Sequence, residues 1–291
     1  MLTKKINGYF LLVFLYFLGV SFFLSPILGK IFPSGAVATI IMQFLIFLPL
    51  LFFYFYRYPV SPKETLSLRP IRVADLLLCL GVSLCAMPFV SMIVLITSVL
   101  QTNLAEASLE SMMGSNFFLV LFLTAIQPAV FEELLFRGVG YRAYGCLGEK
   151  KAILASAFLF ALLHMNLQQA AYAFVLGVLF AFLVGRTGSI LASVIPHFFI
   201  NASNWAAMFL SPAESAAPAV EYTFGQQVLG VGIQCLVALP FLVGLLWLFM
   251  RRNPKSRYEM TALEGERFFT PAIWVIIAIF AGMCVFTMGI R

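Results

Sequence analysis

An all-α fold is what this chain predicts: a polytopic transmembrane helix bundle of about eight or nine spans, with its N-terminus in the cytoplasm. Three observations carry that expectation. Of 291 residues, 62% are apolar, 32 are phenylalanine and only 10% are charged, whereas a soluble domain rarely exceeds about half apolar. The mean hydropathy is +1.01, and several runs reach the roughly 20 apolar residues that a bilayer crossing needs. Segments of alternating hydrophobicity are absent, so the backbone must satisfy its polar groups within helices rather than between barrel strands.

Apolar runs bounded by Pro, Gly and charge give nine candidate helices. The first, 8–28, follows Lys4 and Lys5 and imitates a signal peptide. It outlasts a usual signal core, however, and Phe22 and Phe23 behind Gly19-Val20-Ser21 make a poor cleavage site, so a retained span is expected. The second and third are 36–56 and 74–100. The fourth, 116–145, is long enough that its tail, "GVGYRAYGCLG", is expected to leave the bilayer or lie along its surface. The fifth and sixth, 152–167 and 169–185, are short, are separated by little more than "MNLQQ", and read as a tilted hairpin. The last three are 189–210, 227–250 and 271–289. No repeat, low-complexity tract or soluble domain interrupts them, so residues 1–291 read as a single membrane domain.

Charge sets the expected orientation. With Lys4 and Lys5 placed in the cytoplasm and the side alternating at each run, only Lys30 and Arg291 of the eighteen Lys and Arg fall outside. Glu106, Glu110, Glu214 and Glu221 collect there instead. An N-in, C-out chain of nine spans follows from the positive-inside rule, in a cell membrane. The net charge of +6 does not point to nucleic acid, because the cations sit in short loops and no basic tract is interleaved with aromatics. Their partner is the bilayer's anionic inner surface. Of five cysteines, four lie in apolar runs and Cys146 lies in a short basic loop; with no CxxC they read as small packing residues.

Polarity inside the runs is the functional signal. Among twelve acidic residues, only Glu132 and Glu133, in "EELLFR", interrupt an apolar span. Both histidines of the chain do the same: His164 in "FLFALLHMN" and His197 in "ASVIPHFFIN", with Asn201 one helical turn further on. An ionisable group in mid-bilayer costs on the order of 3 kcal/mol and marks a pathway or reaction site. Counted from helix ends at about 1.5 Å per residue, Glu132, His164 and His197 reach a shared layer in the cytoplasmic half of the membrane. Glu133 and Arg137, four apart, share a face and pair, while Glu132 points elsewhere. Pro128 and Pro196 loosen the helices nearby, as is tolerated where they line a wet or protein-buried cavity.

A carboxylate among apolar side chains gains proton affinity and suits general-base work, and the unpaired Glu132 is the better candidate. A histidine beside it would share the attacking water, and His197 with Asn201 would donate to the developing oxyanion. These parts suit peptide hydrolysis by water with no covalent intermediate. No GxSxG or HExxH occurs, and a zinc held by both histidines and a glutamate remains open at this level. Two other readings use the same residues: a non-proteolytic membrane protein for bacteriocin immunity or regulation, and a proton-coupled transporter. The transporter is disfavoured by the off-centre layer and the lack of repeats.

"EELLFRG" (132–138), "FALLH" (160–164) and "HFFIN" (197–201) resemble the EExxxR, FxxxH and HxxxN motifs of the CPBP family. That family includes the type II CAAX prenyl endopeptidases and the Abi and bacteriocin-processing proteins. The resemblance covers residues 115–205 as a catalytic core and leaves 1–114 and 206–291 as accessory helices. It implies that Glu132 and His164 activate water and that His197 and Asn201 form the oxyanion site. Glu133 and Arg137 would support the arrangement or contact substrate, and Phe160 would line the pocket. It further implies no cofactor, zinc being the disfavoured option, and a peptide or protein substrate at the membrane, prenylated in the namesake case.

Overall fold

The computed structural model describes residues 2–32, 35–101, 116–210 and 222–288. Among these residues helix is the one kind of regular secondary structure. The nine expected segments all appear: α1 (Leu2–Ile31), α2 (Ala36–Arg57), α3 (Val73–Ser98), α4 (Phe117–Leu147), α5 (Glu149–Leu163), α6 (Leu167–Thr187), α7 (Leu191–Leu210), α8 (Phe224–Arg252) and α9 (Pro271–Met288). Seven are long and apolar enough to cross a membrane. The two that are not are the helices that deliver the histidines. At 15 residues α5 is about 22 Å long, and the apolar run of α7 is broken by His197, Asn201 and Asn204. Glu106, Glu110, Glu214, Glu221 and Arg291, which shaped the expected outer face, lie outside the described residues.

Helix ends are fixed locally. Asn116 accepts from the amides of Phe118 and Leu119 to start α4, and Asn166 accepts from Gln169 to start α6. α6 stops at Gly188, whose φ of 73° is the left-handed conformation that ends helices. α4 is not uniform: Phe122–Ile126 and Leu134–Gly140 are π-helical and flank the α-helical turns that hold Glu132 and Glu133. Pro128 supplies no N–H and crowds the carbonyl four residues back, so the chain widens just before it. Gln43 of α2 donates to the Leu123 carbonyl in that widened turn (3.3 Å), and Gln127 donates back to Ile40 (3.2 Å).

The tail of α4 is packed inside the protein. Residues 138–148 are sheathed by protein: Val139, Gly140, Tyr141, Tyr144 and Leu147 are buried. Glycine makes this approach possible, since a Cβ on Gly138 would stand 2.7 Å from the Leu66 side chain and one on Gly140 would stand 3.2 Å from Phe10. Phe10 stacks on both Phe136 and Tyr144, at 6.0 and 5.8 Å, and Phe136 meets Phe160 of α5 edge-on at 5.3 Å. A continuous aromatic column therefore runs from α1 through α4 to the site helices.

The non-helical stretch 253–270 straps one end of the bundle. Tyr258 shares a hydrogen bond with Ser67 (2.6 Å), and Leu263 N–H donates to Cys146 (2.8 Å). The Glu266 carboxylate accepts from the amides of Leu2 and Thr3. Arg252 reaches Asp75 at 3.0 Å, and Arg186 donates to Pro254. The basic ends of α1, α3, α4, α6 and α8 thus meet at one end. At the other, Gln101 accepts from Leu167 N–H (2.7 Å) and donates to Thr287.

Asn7 is the buried centre of the strap. Its Nδ2 donates to Phe268 O (2.6 Å) and Thr270 Oγ1 (2.8 Å), while its Oδ1 accepts from Tyr144 (2.7 Å). Asn7→Ala strands those partners, so it is expected to lower stability by about 1–3 kcal/mol. Tyr144→Phe, which removes one bond and no volume, should cost less. Unfolding midpoints in detergent compare the two.

Candidate active site

The three polar motifs converge. Glu132 and Glu133 come from the short α-helical stretch of α4, His164 from the residue that closes α5, and His197 from the second turn of α7. The centre is the Glu133 carboxylate, which is fully buried. Its Oε1 accepts from Arg137 Nη1 at 2.9 Å and from His197 Nδ1 at 2.9 Å. Pairing with Arg137 was expected from their i,i+4 spacing; the bond to His197 was not. The other side of that histidine faces Glu132, with Nε2 3.9 Å from Oε2. Glu132 is also the more accessible carboxylate, its side chain being 21% exposed against 0% for Glu133. The accessible carboxylate and the one committed to Arg137 are therefore different residues, as the helical geometry predicts.

His164 is oriented from its own helix. Its Nδ1 lies 2.9 Å from the Phe160 carbonyl one turn back, and its ring meets the Phe160 ring edge-on at 4.9 Å. Phe160 also contacts the His197 ring at 6.2 Å and carries the Arg137 guanidinium over its face at 4.1 Å. One phenylalanine thus touches both histidines and the buried cation. Asn201 lies one turn after His197, partly buried, and makes no side-chain hydrogen bond among the described residues. All seven residues singled out in the sequence occupy this region or the helix turn beside it.

Some partners escaped the sequence reading. Phe180 of α6 lies 5.6 Å from the His197 ring and 5.5 Å from Arg137, backing both. With 32 phenylalanines in the chain, nothing marks it out. Ser193 is buried beside Glu133; its position four before His197 on one helix face was the available signal. Gly177 is a third such residue. A Cβ there would stand 3.0 Å from Ala157 and 3.2 Å from Arg137 Nη2, so only glycine lets α6 close over the guanidinium.

Zinc is the cofactor whose fit needs testing. Two imidazoles and a carboxylate are suitable donor types, and each ring has its other nitrogen held by a carboxylate or a carbonyl, as zinc ligands commonly do. Among the described residues, however, no three His, Cys, Asp or Glu side chains are grouped closely enough to hold an ion.

Residues 114–203 match the family model of the Type II CAAX prenyl endopeptidase Rce1-like proteins. The match spans about a third of the chain, from just before α4 to beyond Asn201 in α7, and holds every residue of the polar cluster. The family it resembles is one of membrane proteases. No curated protein and no solved structure matches the chain.

The buried pair makes a stability prediction. Glu133→Ala leaves the Arg137 charge without its partner in the protein interior, which is expected to cost roughly 3–5 kcal/mol. Replacing Arg137 by Met in the same chain should recover most of that loss. Denaturant titration of both variants measures the coupling; equal destabilisation in the two would show that the pair is not the source.

Proposed function

We propose that the chain is an intramembrane endopeptidase that hydrolyses a peptide bond near the cytoplasmic leaflet, using water activated by glutamate and histidine. The observation that carries this reading is the approach of Glu132 Oε2 to His197 Nε2 at 3.9 Å within an apolar bundle. That separation is too long for a direct hydrogen bond, so the base and the oxyanion donor stand side by side without being bonded to each other, as a carbonyl reacting between them requires. A cytoplasmic placement is supported by α7. His197 lies about 9 Å along it from Leu191, and the turn before Leu191 bonds to Ser67 and Arg69 at the basic end.

Hydrogen-bond partners narrow the roles. A carbonyl can only accept, so His164 Nδ1 carries the hydrogen bonded to Phe160 O, and Nε2 of the neutral ring holds a lone pair. Glu133, ionised against Arg137, likewise accepts from His197 Nδ1–H. In the proposed reaction Glu132 removes a proton from water while the water oxygen bonds to the substrate carbonyl carbon, and His164 Nε2 holds the second O–H in line. The carbonyl oxygen becomes an oxyanion, met by the amide N–H of Asn201 and by His197. From Nε2, His197 donates only as an imidazolium, so the two carboxylates flanking that ring are part of the oxyanion site. The proton on Glu132 then passes to the amine nitrogen as the C–N bond breaks, and the carboxylate is restored. No step uses a metal or a covalent intermediate.

An apolar crevice of about 270 Å³ opens between α4 and α7, lined by Ile126, Ala129, Val130, Val194, Ile195 and Phe198. Val130 and Val194 each precede a member of the Glu133–His197 pair by three residues. This supports a peptide or protein substrate that approaches from within the membrane, as a CAAX-type lipidated tail or another processed peptide would.

Cleavage of a candidate membrane peptide in reconstituted vesicles tests the assignment. Glu132→Gln should slow turnover by about 10²–10⁴ and leave binding intact; full turnover would remove Glu132 from the chemistry. His164→Ala and His197→Ala should abolish cleavage without preventing insertion. A wild-type chain that binds such peptides and cuts none would favour the non-proteolytic reading. A strong chelator is expected to leave the rate unchanged, and zinc-dependent recovery would reverse the metal-free scheme.

Glu133→Gln separates positioning from substrate contact. It keeps an acceptor for His197 but removes the negative charge beside the imidazolium. The expected result is a fall in kcat of about 10²–10³ with KM little changed. A rise in KM alone would assign Glu133 to substrate binding.

A further inference from the structure

The chain leaves α8 through "RRNPKSR", residues 251–257, which hold four cations and no acid. Arg252 is committed to Asp75. Arg251, Lys255 and Arg257 are exposed and make no ion pair among the described residues. Asn253, Pro254, Lys255, Ser256 and Arg257 fold round a cavity of about 190 Å³. Directly before it, the Arg251 guanidinium lies over the Trp247 ring at 4.4 Å; a tryptophan and an arginine at the end of a span mark headgroup depth. Leu236, Val237, Phe241, Val243 and Leu248 on the rest of α8 are exposed, which gives acyl chains an apolar face leading to the cavity.

We propose that residues 251–257 form a binding site for the phosphate headgroup of an anionic phospholipid. Arg251, Lys255 and Arg257 meet the phosphate, Ser256 lines the cavity beside it, and the acyl chains follow α8. Positive charge beside a span can serve orientation alone, but orientation needs neither a cavity nor two cations without ion pairs lining it, with a third just before it. The walls of the site are also tied to the catalytic scaffold. Arg257 N–H donates to Gly185 O at 2.8 Å, and Arg186 donates to Pro254 O. Tyr258 bonds Ser67, whose carbonyl accepts from Ile190 N–H at 3.0 Å, immediately before the helix of His197. A bound headgroup therefore steadies the strap that fixes the start of α7. This proposal is independent of the hydrolytic reading.

The test uses the full chain in neutral detergent, titrated with phosphatidylglycerol or phosphatidylcholine, with bound lipid counted by native mass spectrometry and stability read by thermal unfolding. Phosphatidylglycerol is expected to bind more tightly than phosphatidylcholine and to raise the unfolding temperature. Each cation near the surface contributes about fivefold in affinity, so R251Q/K255Q/R257Q should lose about 100-fold for phosphatidylglycerol and nothing for phosphatidylcholine. The exposed, unpaired Lys255→Gln alone should lose about fivefold, which keeps the test decisive if the triple variant misfolds. K5Q/K150Q/K151Q removes as much charge from the same end and should bind as the wild type does. Equal loss in that control would reduce the effect to general charge and overturn the site. So would an unchanged Lys255 variant, or equal stabilisation by inorganic phosphate alone, which would assign a free-anion site instead.

Discussion

A single buried carboxylate oxygen, Glu133 Oε1, organises the centre of this protein. It accepts from Arg137 within its own helix and from His197 across to another. A charge in an apolar interior must be paired and hydrogen-bonded or it is not tolerated, so the position of α7 relative to α4 is dictated by that oxygen's need for donors. The consequence reaches Glu132, the neighbouring residue about 100° round the helix. It is left free of Arg137 and faces the opposite nitrogen of the same imidazole. Two adjacent glutamates thus acquire opposite characters, one immobilised and one available, through helical geometry and burial alone.

The packing around this centre depends on flat rings and missing side chains. Arg137 lies over the Phe160 ring and near Phe180, whose faces offer a cation favourable electrostatics without competing for its hydrogen bonds. Gly177 brings α6 against it, and Gly138 and Gly140 bring the tail of α4 against Leu66 and Phe10. The π-helical turns on either side of the two glutamates re-aim side chains within a continuous helix, a device often found at functional sites. Beside the site the local irregularity lies in α4, while the aromatic column and the 253–270 strap hold the helices around it.

Function and membrane insertion pull in opposite directions here. The helices carrying the histidines are the two that fall short as membrane spans, α5 in length and α7 in apolarity. Their histidines are compatible with a bilayer because they face other helices rather than lipid. α8 shows the contrary design, with a largely apolar and exposed surface and cations confined to its end.

The sequence by itself determined the helical class, the nine segments, the Glu133–Arg137 pair and the residues of the polar centre. Each depends on local periodicity or on the conspicuousness of a charge in an apolar run. The Glu133–His197 bond, the burial of 138–148, the backing by Phe180 and the strap's hold on the helix ends were decided only by tertiary structure. Residues 133 and 197 are 64 apart in the chain, and Phe180 is chemically indistinguishable from its many counterparts. Periodicity tells which face of a helix is polar, but which helix that face meets is set by the packing of all the others.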